Sequence, residues 1–487
     1  MSERQTGSAR APESTPPLVV DLDGTLLQTD LLHESTLRMI KHRPWTIFLL
    51  PLWLLRGRAY LKSRIAGLAR LDCTTLPLHQ PFADWLAEEK RSGRRLILAT
   101  ASDQHLAEAA VRHLDLFDTI IGSDGTRNLK GREKLDVVLS LCDGPFDYAG
   151  NSHADQPLWE ASREAIVVNA PKPVESAARK AANVTRVFAP TRSALRGAIR
   201  SLRLYQWVKN ILIFVPAFTA HELTHVPTLI AMSVAFLAFG VCASGTYIVN
   251  DLLDLEEDRR HAVKRKRPYA SGQSSIPTGV ALAGFCIVTG LAIGAWIGLG
   301  FLALLTAYIC LTLLYSLYLK KLLLVDVLML AVLYTLRVVA GQTVTGIQIS
   351  AWLFSFVFFL FLSLAFSKRA AELTKANRTH KELLPGRGYA AIDLGVVTTA
   401  GIACGLLSSL VLSLYINSDT VRLLYRRPAL LWAAIPPLLY YILRIWIVAG
   451  RGELDADPIL YTMKCRSTYY VGALVLLVVF AATTRYF

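Results

Sequence analysis

Two rhythms of apolar residues divide the chain. From about residue 207 onward, long apolar runs alternate with short polar loops, at roughly 207–219, 226–249, 277–297, 300–318, 323–341, 351–367, 392–415, 428–449 and 468–484. A helix of about twenty apolar residues crosses a hydrocarbon core. The pattern therefore predicts about nine transmembrane helices, the first short unless it extends back into Leu202–Trp207. Ahead of this region the apolar runs are only strand-length. Leu18-Val19-Val20, Arg95-Leu96-Ile97-Leu98-Ala99 and Phe146-Asp147-Tyr148-Ala149-Gly150 each lead into polar side chains. A soluble part is thus expected to precede a membrane part.

One run fits neither rhythm. Pro44 to Leu55, PWTIFLLPLWLL, is flanked by Lys41, His42, Arg43, Arg56 and Arg58. It is too short to span a bilayer. Two readings stay open: a segment lying in the membrane interface, or a helix packed within the soluble part or on the membrane bundle. Pro171 and Pro173 mark a linker, and Thr191–Leu204 has a helical period with several Arg. It reads as an amphipathic helix leading into the bilayer.

Charge sharpens this picture. Apolar residues make up 53% of the 487, and the net charge is +15. Such a charge could mean nucleic acid, but the basic residues cluster beside apolar spans. Anionic lipid and phosphate substrates account for them better, so no nucleic-acid partner is expected. The loops at 250–276, 319–322, 368–391 and 450–467 carry most of the Lys and Arg, which places them and the N-terminus in the cytoplasm. The loop 416–427, with Arg422, Arg426 and Arg427, runs against that rule. The first seventeen residues lack an apolar core, so they read as a disordered tail (1–16) rather than a signal peptide. The seven cysteines show neither CxxC spacing nor His pairing and read as single packed thiols.

The densest chemistry lies in Asn250–Gly272, NDLLDLEEDRRHAVKRKRPYASG. Asp251, Asp254 and Asp258 are spaced by three and four, which places them on one face of a continuous helix. Converging carboxylates attract a hard cation such as Mg²⁺, which completes its shell with water and phosphate oxygens. Arg259, Arg260, Lys264, Lys266 and Arg267 follow and would neutralise the remaining phosphate charge. A solvated loop obeying the positive-inside rule explains these cations but not three carboxylates in register.

Asn250-Asp251-x-x-Asp254-x-x-x-Asp258 resembles the first aspartate-rich motif of the UbiA superfamily of intramembrane prenyltransferases. The continuation His261-x-x-Lys264-x-x-Arg267-Pro268-x-Ala270-x-Gly272 is similar to the branch containing decaprenyl-phosphate phosphoribosyltransferases. Gln206-Trp207-Val208-Lys209-Asn210, Tyr315-Ser316 with Lys320 ahead of Asp326, and Ser367-Lys368-Arg369-x-x-Glu372-Leu373 support the same branch. The resemblance covers about 200–487 and implies nine helices around a cavity. By it, Asp251, Asp254 and Asp258 hold Mg²⁺. Asn250, Lys209, Lys264, Arg267, Lys320, Arg337, Lys368 and Arg369 bind substrate. The superfamily's second carboxylate pair is reduced here to Asp326, with Leu330 four residues on. Asp326 reads either as a catalytic contact to a sugar hydroxyl or as a structural partner of Arg337 or Lys320. Asp457 in the last inner loop is a further candidate acid.

In the soluble part, Asp21-Leu22-Asp23-Gly24-Thr25 resembles the first motif of haloacid dehalogenase-like phosphatases. Thr100, Lys134 (with Lys130 as competitor) and Gly150-Asn151-Ser152-His153-Ala154-Asp155 follow in family order. The resemblance makes Asp21 the nucleophile, Asp23 the general acid/base, Thr100 the holder of phosphoryl oxygens and Lys134 the counter-charge. Asp21, Asp23 and Asp155 would be Mg²⁺ ligands, although Asn151 stands where the family has an acid. The implied fold for 17–192 is an α/β Rossmann-like domain whose motifs lie at the carboxyl edge of a doubly wound sheet, with a helical cap at about 30–90. An all-α membrane bundle over 193–487 follows.

Together these features predict Mg²⁺-dependent transfer of 5-phosphoribosyl from phosphoribosyl diphosphate to a polyprenyl phosphate in a bacterial inner membrane. The head would then remove the 5-phosphate. The competing readings are an aromatic prenyltransferase using polyprenyl diphosphate, and a transporter or scaffold with a regulatory head. A homo-oligomer is left open.

Overall fold

The computed structural model describes residues 15–190, 193–378, 387–454 and 457–483. The expected tail up to residue 14, and Asp455, lie outside these. Contacts divide the chain into two compact units. One is the chain up to Ser201 together with Asp251–Leu282; the other is Leu202–Asn250 with Ala283 onward. The aspartate-rich stretch, expected with the membrane part, thus belongs to the same unit as the head.

The head is built on six parallel strands: β1 (Leu18–Val20), β2 (Leu96–Asp103), β3 (Thr119–Ser123), β4 (Asp147–Gly150), β5 (Ala165–Val168) and β6 (Val184–Phe188). Their order is β3-β2-β1-β4-β5-β6. Strand order reverses beside β1, which pairs with β2 (Val20 opposite Leu98) and with β4 (Val20 opposite Ala149). A crevice forms outside the carboxyl ends at such a switch point. Alternation along β1 sends Leu18 and Val20 into one core with Phe82, Leu86, Ala107 and Val111. Val19 points into the other, with Val138, Phe146, Leu158 and Trp159. Both faces are covered, which is why the strands read as continuous apolar runs.

The cap is narrower than the expected 30–90. It comprises Leu31–His42, Pro44–Leu55 and Arg58–Ala69. The helix Gln80–Arg91 packs Phe82 and Leu86 on the sheet and is part of its body. The expected amphipathic helix appears as Ala194–Ser201.

Among the described residues eight helices are long and apolar enough to cross a membrane, all in the other unit except for 251–253 and 276–282. They are Val226–Leu253, Ile276–Ile297, Leu299–Leu317, Val325–Thr345, Ala351–Arg378, Ala391–Ile416, Pro428–Gly450 and Arg466–Thr483. The ninth expected span is shorter and differently wound. Leu204–Phe214 is a 3-10 helix of eleven residues, continued by the five-residue α-helix Val215–Thr219. At about 2.0 Å per residue for the first part and 1.5 Å for the second, sixteen residues still reach roughly 30 Å. That matches the hydrocarbon thickness, so tighter winding offsets the short sequence. Apolar side chains such as Phe285, Trp296, Leu477 and Phe480 stay exposed, as a lipid-facing surface requires.

Candidate functional site

The head's site assembles where β1, β2 and β4 end. Gly24 turns the chain at φ 76°, and a Cβ there would meet the Asn151 amide. This turn lets both Asp21 and Asp23 reach the crevice, which strand alternation alone would forbid. Asp21 is buried and accepts hydrogen bonds from Lys134 Nζ (2.7 Å) and Thr25 Oγ1 (3.1 Å). Burial raises its pKa, with Lys134 opposing. Asp23 accepts from the Leu31 N–H (2.8 Å), Ser102 Oγ (2.6 Å) and Thr100 Oγ1 (3.3 Å). Burial, helped by the Asp30 charge, lifts Asp23 to about 7. A carboxyl so poised trades protons near neutrality, as a general acid/base must.

Asp155 lies at the turn after β4. One of its oxygens accepts from the Asn151 N–H (3.1 Å), the Ser152 N–H (2.9 Å) and Ser152 Oγ (2.9 Å). Tyr148 OH donates to the other at 2.7 Å. The first oxygen holds the turn after β4, and the second also lies 3.7 Å from Lys134 Nζ. Asn151 is neutral where the family has an acid, which leaves Asp21, Asp23 and Asp155 as the carboxylates of the crevice. Ser102 and Tyr148 are additions the sequence did not single out; Ser102 sits two residues beyond Thr100 on the same strand face, a signal that was available.

The aspartate-rich stretch is not one helix. Val226–Leu253 stops, Asp254 takes non-helical angles (φ −100°, ψ 17°), and Leu255–Arg260 starts a new turn. The break redirects the carboxylates. Asp251 and Asp258, each 2% exposed, converge on Arg267 Nη1 at 3.0 and 2.5 Å. Asp254 instead lies 3.5 Å from Lys41 Nζ. Burial raises Asp258 to about 6 against the pull of Arg267, with Asp251 adding to the rise. Among the described residues no three His, Cys, Asp or Glu side chains gather as a ready-made metal cage. Two carboxylates around a position now held by a guanidinium do fit an ion that uses one or two carboxylates and takes the rest of its shell from water and phosphate. Lys264 stands exposed on the following 3-10 turn.

The same stretch is tied to the cap. Arg259 forks onto Glu34 (2.5 and 3.1 Å) while its Nε donates to the Ala270 carbonyl (3.1 Å). Arg38 pairs with Glu256, Lys41 with Glu257 (2.6 Å), and Arg260 with Asp72 (2.6 Å). Gly272, at φ 71°, lets the backbone lie against Gln28, where a Cβ would approach to 2.6 Å.

In the membrane unit the polar residues form two groups. In the first, Asp457 caps the helix Pro458–Lys464 and accepts from Lys209 Nζ (2.6 Å) and Tyr334 OH (3.1 Å), with Lys368 Nζ at 3.9 Å. Burial pushes its carboxyl up, but Lys209 and Lys368 outweigh it and hold it at about 2. Next to it, Arg337 donates to Asn210 Oδ1 (3.0 Å) and Tyr308 OH (3.1 Å) and stacks over Phe239, Tyr308 and Tyr334 at 5.0–5.6 Å.

In the second group, Asp326 and Arg369, both fully buried, pair at 2.9 Å. Tyr389 OH donates to Asp326 at 2.6 Å, and Arg387 donates to Tyr315 OH at 2.9 Å. Asp326 therefore pairs with neither Arg337 nor Lys320, and Arg369, expected on a substrate phosphate, is neutralised inside the bundle. Lys320 lies on the 3-10 turn Leu319–Lys321. Removing Asp326 would leave buried Arg369 with only the more exposed Glu372 as counter-charge, at a cost of up to about 3–5 kcal/mol. Asp326→Leu is thus expected to lower stability by that amount in detergent unfolding, and Asp326→Leu with Arg369→Met to recover most of it. Equal loss in single and double variants would show that the pair is not the source.

Residues 211–468 match the UbiA prenyltransferase family, and residues 18–160 match haloacid dehalogenase-like hydrolases. The "Uncharacterized protein y4nM" of Sinorhizobium fredii is 36% identical over 94% of this chain and 89% of its own length. Nodulation protein NoeC of Azorhizobium caulinodans is 33% identical over 54% of this chain and 85% of its own. Decaprenyl-phosphate phosphoribosyltransferase of Mycolicibacterium smegmatis is 32% identical over 39% of this chain, an alignment that takes in 61% of that relative.

Proposed function

Because the chain belongs to the UbiA prenyltransferase family and carries a haloacid dehalogenase-like hydrolase domain ahead of it, we propose that this multi-pass membrane protein moves a 5-phosphoribosyl group from phosphoribosyl diphosphate to a polyprenyl phosphate and then removes the 5-phosphate. The observation that carries the first step is the buried Asp251/Asp258 pair closed around Arg267, in a chain alignable with a decaprenyl-phosphate phosphoribosyltransferase. An Mg²⁺ ion held by these carboxylates would balance charge on the departing diphosphate. Arg267, released from the pair, and Lys264 are assigned to the same diphosphate, with Asn250 beside them. Lys209 and Lys368 are assigned to the lipid phosphate. That nucleophile is already an anion, so the step needs no general base. The single carboxylate Asp326, committed to Arg369, supports a donor other than a prenyl diphosphate.

In the head, Asp21 attacks the phosphorus of the 5-phosphate, and Asp23 protonates the departing sugar oxygen. Asp23 then takes a proton from the water that hydrolyses the aspartyl-phosphate. Thr100 and Lys134 hold the phosphoryl oxygens. Head and charged loops are assigned to the cytoplasmic side of a bacterial plasma membrane, on the Lys and Arg count of the loops.

The test is incubation of purified protein with labelled phosphoribosyl diphosphate, Mg²⁺ and a polyprenyl phosphate, followed by lipid extraction. Label enters the lipid phase, stops with EDTA and returns with Mg²⁺. Label arriving only from a prenyl diphosphate, on an aromatic acceptor, would refute the assignment. Lys209→Ala removes a charge-assisted contact worth about 1.5–3 kcal/mol. It is expected to raise KM for polyprenyl phosphate about 10- to 100-fold while leaving KM for phosphoribosyl diphosphate unchanged; the reverse pattern would reassign Lys209.

A further inference from the structure

Six large apolar side chains stand in the open on one short stretch of the head. Pro44–Leu49 is a 3-10 turn that runs straight into the helix Leu50–Leu55. Along it Trp45, Ile47, Phe48, Leu52, Leu54 and Leu55 are 46–84% exposed. Trp53 turns inward onto Met39 and Ile65, and Leu49 and Leu50 pack against the same cluster. Trp53, Leu49 and Leu50 thus anchor the stretch to the cap while the six exposed side chains face away. His42 and Arg43 before it, and Arg56 and Arg58 after it, are exposed as well.

Single exposed apolar residues need no explanation, but a contiguous patch marks an interaction surface. The make-up of this one names its occupant. Trp and Phe among aliphatic residues, closed at both ends by cations, is the composition of an element lying at the headgroup–acyl boundary. Cations at both ends complement anionic headgroups. The described residues also include eight membrane-length helices, which tether the chain to a bilayer. The stretch continues into the helix Arg58–Ala69, whose Lys62 Nζ donates to the Ala101 carbonyl (2.6 Å) and to Asn128 Oδ1 (2.8 Å). Ala101 directly follows Thr100, so this helix joins the patch to the phosphatase crevice.

We propose that Pro44–Leu55 seats in the membrane interface, and that the head accordingly takes an amphiphilic phosphate ester from the bilayer surface rather than a soluble one. The second half rests on the phosphatase reading above. The test uses full-length protein in vesicles of phosphatidylethanolamine and phosphatidylglycerol, with a photoreactive benzoylphenylalanine in place of Phe48 or, as control, of the exposed Leu139. Lipid adducts form at position 48 and not at 139. Adducts to protein alone at 48, or equal lipid labelling at both, overturn the seating. In a second arm, Phe48→Glu with Leu52→Glu lowers hydrolysis of a lipid-linked phosphate at least tenfold and leaves p-nitrophenyl phosphate hydrolysis unchanged. Equal loss on both esters overturns the assigned substrate class. Hydrolysis of neither ester by the unmodified protein would sink the phosphatase reading while leaving the lipid adducts to decide the seating.

Discussion

Asp251→Asn is expected to lower transfer of the phosphoribosyl label to lipid about 10²–10³-fold, the scale on which loss of one preorganised charge contact acts in such sites. Asp258→Asn should match it. Both carboxylates are buried against the same guanidinium, so each contributes to one cation position. Asp254→Asn should be milder, about tenfold, because its side chain lies beside Lys41, off that position. The ranking is the informative part, since sequence spacing alone treats the three as equivalent. Initial rates at saturating Mg²⁺ measure it. If Asp254→Asn proves as damaging as Asp251→Asn, the break in the helix does not matter to the site, and the carboxylates act together as their spacing implies.

The second large effect belongs to the head. Asp21→Asn is expected to cut phosphate release from the phosphoribosylated lipid about 10⁴-fold or more, on the scale seen when a covalent nucleophile is removed. Transfer itself should continue. The lipid product would then accumulate with its 5-phosphate intact, as anion-exchange separation of the labelled lipid shows. Asn keeps the shape but not the charge that faces Lys134 at 2.7 Å; Asp155, 3.7 Å from the same ammonium, still balances it, and any loss of folding is visible separately by thermal unfolding. Undiminished phosphate release would remove Asp21 from the chemistry.

Much of this was readable from the residues because local pattern and fold agree. Asp21, Thr100 and the turn after Gly150 fall at one sheet edge because parallel strands buried on both faces appear in sequence as apolar runs with polar ends. The membrane helices were readable for a similar reason: lipid demands continuous apolar stretches. For Arg369 and Asp457 the limit was that a side chain's partner can lie far along the chain. Arg369 sits at the end of an apolar run, where a cation usually reaches headgroups. Only the packing of its helix beside Asp326, 43 residues earlier, shows that its charge is spent inside. Asp457 looked marginal in a polar loop until Lys209, from 248 residues away, came to it. Asp254 meets a different limit. Spacing arguments assume an unbroken helix, and a single residue outside the helical region rotates everything after it. The Asp before Pro458 was an N-cap signal that could have been weighted more.

The fork of Arg259 onto Glu34 has a consequence for anyone who would divide this polypeptide. Glu34 is 3% exposed, and Gln28 lies against Gly272. A gene fragment ending at residue 192 would encode every phosphatase motif yet omit the arginine that neutralises this buried carboxylate. Such a fragment should be soluble only poorly, and a synthetic peptide spanning 251–282, supplied in trans, should rescue it. The hydrolase is contiguous as a reading frame but completed by a piece of its neighbour, so the fusion would be hard to undo by recombination once that piece had been borrowed.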